Sequence, residues 1–194
     1  MISTMTADPP ATDFPRRRFT VDEVNRMAAQ GILGEDEPVE LLDGELLIVS
    51  PQDPRHAAAV VALARRLTDL YRVDAHVRPQ VPLNATPDSL PEPNLAVVKG
   101  QPLDYQHRHP VGGETLLVVE VARTGQAIDR RKARIYAAAG VPVYWLVDLT
   151  ERQIEVFSQP SPAGTFTQRR TSSPGEEVDL PGLDLRLAVS EIVG

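Results

Sequence analysis

The run Leu116-Leu-Val-Val-Glu120-Val121 constrains this chain more than any other stretch. It is apolar except for one carboxylate, the pattern of a strand buried on both faces rather than the alternation of a surface strand. A similar run, Leu95-Ala-Val-Val98, precedes it, and Val143-Tyr-Trp-Leu-Val147 follows. Between the last two, residues from about Ala127 to Ala139 carry helical spacing, and Gly140 stands at the C-cap position. Central strands need helical cover, so the middle of the chain predicts a mixed sheet flanked by helices.

The flanks read as hairpins and helices. Thr20 with Glu23 forms a capping box that opens a helix to about Ala29. Strands at Val39 to Leu42 and Glu45 to Ser50 are joined by Asp43-Gly44, a strong hairpin signal. After a turn at Pro51 to Pro54, an amphipathic helix from about Arg55 to Arg72 shows Val60, Leu63, Leu67 and Leu70 on one side. Ala75 to Gln80 and Val81 to Asn84 predict one or two strands interrupted by proline, and Gly100 to Glu114 predicts a mobile loop near the site. Gln153 to Ser158 and Thr165 to Thr171 predict an exposed antiparallel pair. Gly175 to Leu187 then predicts closing structure before a short terminal helix. Residues 1 to 15 predict a disordered tail, leaving 16 to 194 as a single domain, an α/β (α+β mixed) unit with hairpins at both ends.

Composition excludes several functions. No cysteine is present, which removes disulfides, thiolate metal sites and a cysteine nucleophile. No apolar run approaches a membrane span and no signal-peptide core stands at the start, so the expectation is a soluble, cytoplasmic protein. A net charge of −7 argues against non-specific coating of nucleic acid without excluding a local basic groove. No phosphate-cradling glycine loop and no Gly-x-Ser-x-Gly turn occurs.

The candidate chemistry lies on a few polar residues in apolar settings, a pattern that looks like a small metal-dependent active site on a sheet edge. Glu120 is expensive inside a buried strand unless it pairs with a cation or binds a metal; an ion pair with an arginine is the structural alternative. Lys132 is one of only two lysines, with Lys99, in a chain of 18 arginines. It shares a helix face with Ile128, Ile135, Tyr136 and Ala139, where its ammonium could stabilise charge developing on a phosphoryl group or could simply snorkel to water. Carbonyl oxygen from Val121 or Ala122 would suit the all-oxygen shell of Mg2+ or Mn2+. Glu40, on the first hairpin strand, could reach a metal or water across a cleft, or could be half-exposed. His56 could touch phosphate at a helix start. His107 and His109 give only a weak zinc pattern.

The ordered pieces Glu40-Leu-Leu-Asp-Gly-Glu-Leu46, Ser50-Pro51 with His56, Pro93-Asn-Leu-Ala-Val-Val98, Val118-Val-Glu-Val121, and Lys132 through Tyr136-Ala-Ala-Ala-Gly-Val-Pro-Val-Tyr-Trp-Leu-Val-Asp148 resemble the Uma2 family, restriction-endonuclease-like proteins of the PD-(D/E)XK nuclease superfamily. The resemblance spans about residues 18 to 190. It implies a DNA-cleaving, divalent-metal site with an acid on each of two adjacent strands and a lysine, and a homodimer. By position Glu120 matches the second acid, and Lys132 matches a lysine carried on the following helix; the superfamily's usual lysine position is Ala122. The first acid should follow Pro93, where this chain has Asn94. An amide can ligate through oxygen but brings no charge, so weakened metal binding is expected, with Glu92 as a substitute acid if the strand starts early. The expected metal set is thus Glu120, Asn94, Glu92 and Val121. Glu40 assists catalysis, and His56, Arg130 and Arg131 meet nucleic acid. A silent nuclease fold that binds nucleic acid or a protein partner is one alternative, and a purely structural salt bridge between Glu120 and Lys132 in a domain of other function is another.

Overall fold

A computed structural model describes residues 16–34, 37–49, 52–122 and 126–194. The expected tail over residues 1 to 15 and the turn residue Pro51 lie outside the described residues. Six strands form the central sheet in the order β3-β4-β5-β6-β7-β8, with β3 at Ala75–Pro79, β4 at Leu95–Lys99, β5 at Thr115–Ala122, β6 at Val143–Asp148, β7 at Gln153–Ser161 and β8 at Thr165–Ser172. All neighbours are antiparallel except β5 and β6, whose parallel pairing follows from the helical crossover α3 (Gln126–Ala138) between them. The hairpin β1 (Val39–Leu42) and β2 (Glu45–Ile48) stands apart from this sheet and turns at Asp43 and Gly44, both at positive φ. A second small hairpin, β9 (Glu177–Asp179) with β10 (Arg186–Ala188), precedes the terminal helix α4 (Ser190–Val193).

Two layers of apolar packing sandwich the sheet. On one face α2 (Pro54–Leu70), started by Pro54 behind an Asp53 cap, buries Val60, Leu63 and Leu67 against Leu95, Val97, Val119 and Trp145. On the other, α3 sets Tyr136 against Ala96, Val98, Val118 and Tyr144. Strand alternation assigns the faces, in β5 from Leu117 onward: odd residues of β4 and β5 meet the α2 side, and even residues, including Glu120, meet the α3 side. The helix α1 (Val21–Ala29) begins at the expected capping box, with Glu23 N–H donating to Thr20 Oγ1 and Thr20 N–H to the Glu23 carboxylate.

Three expectations need correction. Val81 to Asn84 is not a strand: Pro82 has no N–H to give a ladder, and only an isolated bridge joins Asn84 to Val111. The 100 to 114 segment does not flank the site, because β4 runs away from Asn94 and delivers this segment to the opposite end of the strands. There it is held by the Arg108–Glu114 ion pair and by Lys99 donating to the Gly113 carbonyl. The site strands are also internal, β4 and β5 being second and third in the order, not at a sheet edge. Among the described residues no helix is long and apolar enough to cross a membrane.

Candidate active site

Register brings Asn94 and Glu120 together. Leu95 pairs with Val119, so Asn94, just ahead of β4, stands opposite Glu120 of β5. Asn94 N–H donates to Glu120 Oε2 at 3.3 Å, and Val121 N–H donates to Asn94 Oδ1 at 2.8 Å. The amide oxygen therefore serves as a backbone clamp between the two strands, and Val121 enters through its N–H.

Above them α3 lowers Lys132 into a carboxylate pair. Its Nζ donates to Glu40 Oε1 and to Glu120 Oε1, each at 3.0 Å, and stands 2.8 Å from Glu40 Oε2. One helical turn on, Tyr136 OH donates to Glu120 Oε1 at 2.7 Å. The three charged residues are withdrawn from water: Glu40 is 6% exposed, Glu120 5% and Lys132 7%. Burial pushes the Glu40 carboxyl up, Lys132 pulls it back and the Glu120 charge adds to the rise. Burial also opposes the Lys132 charge, but Glu120 and Glu40 more than offset it and hold the ammonium above its ordinary pKa. Two carboxylates around one ammonium leave this buried point with excess negative charge.

Asp129 and Tyr136 were not singled out by sequence as functional. Asp129 lies one turn before Lys132, and its Oδ2 is buried without a hydrogen bond. Burial and then the Glu120 charge push its carboxyl up to about 6, with Lys132 opposing. The available signal was helical spacing: Asp129, Lys132 and Tyr136 are i−3, i and i+4 on one face. Ile128, placed on that same stripe by sequence, is 49% exposed, since the helix's first turn overhangs the core.

The remaining candidates border the cluster or lie away from it. Glu92 is exposed, and β4 begins only at Leu95, so it does not share a strand face with Asn94. Its backbone N–H is hydrogen-bonded to the Glu40 carboxylate. Arg131 points to the hairpin, donating to Asp43 Oδ2 at 2.8 Å, Glu45 Oε2 at 3.0 Å and the Leu42 carbonyl at 2.6 Å. Arg130 is exposed and borders a cavity shared with Glu155 and Arg169 of β7 and β8. His56 stands in the first turn of α2, on the other face of the sheet, with Nδ1 3.0 Å from Gln52 Oε1. Among the described residues no three acidic or histidine side chains converge on one point, and this covers His107 and His109.

A groove of about 710 Å³ runs beside the cluster, between the β1–β2 hairpin and α3, with Arg18, Arg131 and Arg134 among its walls and Asp43, Glu45 and Asp88 facing them. The family model described as "Uma2: Putative restriction endonuclease" matches residues 21–190. Among solved structures, one described as that of "a putative nuclease belonging to DUF820 from Anabaena variabilis ATCC 29413" superposes with a TM-score of 0.73, covering 90% of this chain and 97% of that chain at 15% identity. Likeness at that identity carries the fold and not the chemistry. No curated protein matches the chain.

Proposed function

The chain belongs to the Uma2 family, and on that premise we propose that it is a nuclease acting on DNA phosphodiester bonds, centred on Glu120 and Lys132. The observation that carries this reading is the buried Glu40–Lys132–Glu120 cluster, which holds more carboxylate than ammonium. Excess buried anionic charge is costly unless a further cation joins it.

Whether the residues suit a divalent ion can be judged from their oxygens. Glu40 Oε2 is buried 2.8 Å from Lys132 Nζ, and among the described residues Glu120 Oε2 receives only the 3.3 Å contact from Asn94 N–H. Magnesium is commonly held by one or two carboxylates with water completing its shell, so Glu40 and Glu120 fit and would hold it. The Asn94 oxygen already accepts from Val121 N–H, which leaves it one lone pair and no charge to offer an ion. When bound, such an ion lowers the pKa of an attacking water and polarises a phosphoryl oxygen.

The chain's own groups do the rest. Lys132 Nζ, fixed by two carboxylates, would turn toward a scissile phosphate and stabilise the charge that develops on its oxygens. Tyr136 holds the Glu120 carboxylate in place through its hydroxyl. Arg134 in the adjacent groove supplies positive charge for the backbone of the substrate, and a homodimer is part of the same proposal.

A second reading, a silent nuclease fold that binds nucleic acid or a protein partner, is favoured by Asn94, which brings no charge where the family pattern has an acid. A plasmid-nicking assay with Mg2+ or Mn2+ on the native protein, Lys132→Ala and Asn94→Asp separates the two. The nuclease reading expects metal-dependent nicking that Lys132→Ala reduces by about 10²-fold or more. Nicking untouched by Lys132→Ala would remove the lysine from the mechanism, and nicking confined to Asn94→Asp would favour the silent fold.

A further inference from the structure

Among the described residues only three arginine or lysine side chains are withdrawn from full exposure: Arg78, Arg131 and Lys132. Arg131 has Asp43 and Glu45, and Lys132 has Glu40 and Glu120. Arg78, on the edge strand β3, has no carboxylate among the described residues. Its guanidinium lies 5.9 Å from the centre of the Tyr105 ring, and Arg108 lies 5.2 Å from the same ring. Arg108 is neutralised by two hydrogen bonds to Glu114, which leaves the Arg78 charge uncompensated. His76 adds an unpartnered ring nitrogen: Nδ1 lies 2.9 Å from the Gly100 carbonyl oxygen, while Nε2 is buried without a hydrogen bond. Half-buried His109 accepts from the Arg108 guanidinium through its carbonyl at 3.3 Å, and burial, then the Arg78 charge, hold its imidazole below its ordinary pKa.

In a chain with 27 acidic residues, a half-buried guanidinium left without one of them is chemically pointed. Such a group costs desolvation unless an anion completes it, and a planar fork is shaped for phosphate oxygens, which an imidazole with Nδ1 already donating joins through Nε2 once that nitrogen is protonated. The Tyr105 ring fixes the fork by cation–π contact rather than by neutralising it. We propose that Arg78, with His76 and His109 around Tyr105, is a phosphate-binding station for the backbone of the nucleic acid this protein acts on.

Its placement fits that role. Arg78 pairs with Ala96, so it shares the sheet face that carries Asn94 and Glu120, two strands and one residue pair away. Strand spacing makes that separation on the order of 12 Å, about three to four nucleotide steps of ~3.4 Å. Leu83 packs over Ala96 between the two places, so a bound strand would cross outside the 81–86 segment.

The station rests on the nucleic-acid reading above, and its test keeps the two apart. The imidazole NMR signals of His76 and His109 are followed while inorganic phosphate, and separately a short DNA duplex, is titrated into the full chain. Binding of dye-labelled DNA is measured across salt for the native protein, Arg78→Gln and Arg78→Lys. The proposal expects saturable histidine shifts with both probes. It also expects about tenfold weaker DNA binding in Arg78→Gln, with the slope of log affinity against log salt reduced by about 0.9, and a slope kept in Arg78→Lys. Shifts with phosphate but no DNA binding would support the anion site and overturn its nucleic-acid source. No saturable shift with phosphate, or a salt slope indifferent to Arg78→Gln, overturns the station. Should Arg78→Gln fail to fold, the native titrations and Arg78→Lys still decide.

Discussion

Lys132 holds together two carboxylates that are buried within hydrogen-bonding reach of one ammonium. Replacing it with methionine keeps the apolar stem and leaves Glu40 and Glu120 facing each other unpaired. Breaking a buried ion pair from one side costs about 3–5 kcal/mol, a large part of the 5–15 kcal/mol by which a domain is stable. The loss should depend on pH in a definite sense. Burial already raises the Glu40 carboxyl, and removing the cation raises it further. A group whose folded pKa lies above its unfolded value contributes stability below the unfolded value and loses it as pH rises through the folded one. Lys132→Met should therefore unfold at a urea concentration close to native near pH 4 and well below native at pH 7 to 8; a deficit independent of pH would count against the paired-carboxylate account. Glu120 and Lys132 were legible from sequence because each is chemically out of place, one in an apolar strand and one in an arginine-rich chain. Tyr136 and Asp129 were not, since a tyrosine on an apolar stripe looks like core and an aspartate in a first helical turn looks like capping. The partnership of Glu40 with Lys132 spans 92 positions of chain, and no local pattern encodes it.

The β1–β2 hairpin reaches the site as a separate element, so whatever docks it determines whether Glu40 is in place. Arg131 is its side-chain dock to α3, joining that helix to two acids and a carbonyl of the hairpin, while Gly44 N–H to the Asp88 carbonyl and the bridge between Leu41 and Leu90 hold the hairpin to the 87–90 segment. The guanidinium is 21% exposed, so its bonds are partly screened and their loss should cost about 1–2 kcal/mol. Arg131→Gln should leave the central sheet intact while amide hydrogens of residues 39 to 48 exchange faster; unchanged protection there would show that apolar contacts alone seat the hairpin. At this level most of the fold was readable. The Asp43-Gly44 turn, the Thr20 capping box and the three apolar strands all appear where local chemistry placed them. What misled was Pro82 inside an apolar run and Pro93 between two polar residues, because a proline decides a ladder only once its partner strand is known. Which end of the sheet the 100 to 114 segment would reach depended on the antiparallel sense of β4 and β5, a tertiary fact.

The whole molecule should report the ion it is proposed to take. Anything that binds the folded chain alone stabilises it by RT ln(1 + [L]/Kd). With two carboxylates already shared with Lys132, the native protein should hold Mg2+ only at millimolar concentration, and ~10 mM would then add less than about 1.5 kcal/mol, or roughly 2–4 °C in Tm. Asn94→Asp changes both sides of this balance. Without metal, a third carboxylate beside Glu40 and Glu120 lowers stability, because like charges meet in a buried place. With metal, the added charge should tighten binding about tenfold, so the same ~10 mM Mg2+ should raise Tm by roughly 4 °C or more. The crossing of two effects is the informative result: Asn94→Asp less stable than native in chelator and gaining more from magnesium. Combining it with Glu120→Gln should abolish that extra gain. If all three proteins respond equally, the ion acts at the acidic surface and Glu120 is not its ligand. The measurement needs no DNA and no turnover, so it can place a cation at Glu40 and Glu120 even in a protein whose nicking activity Asn94 has silenced.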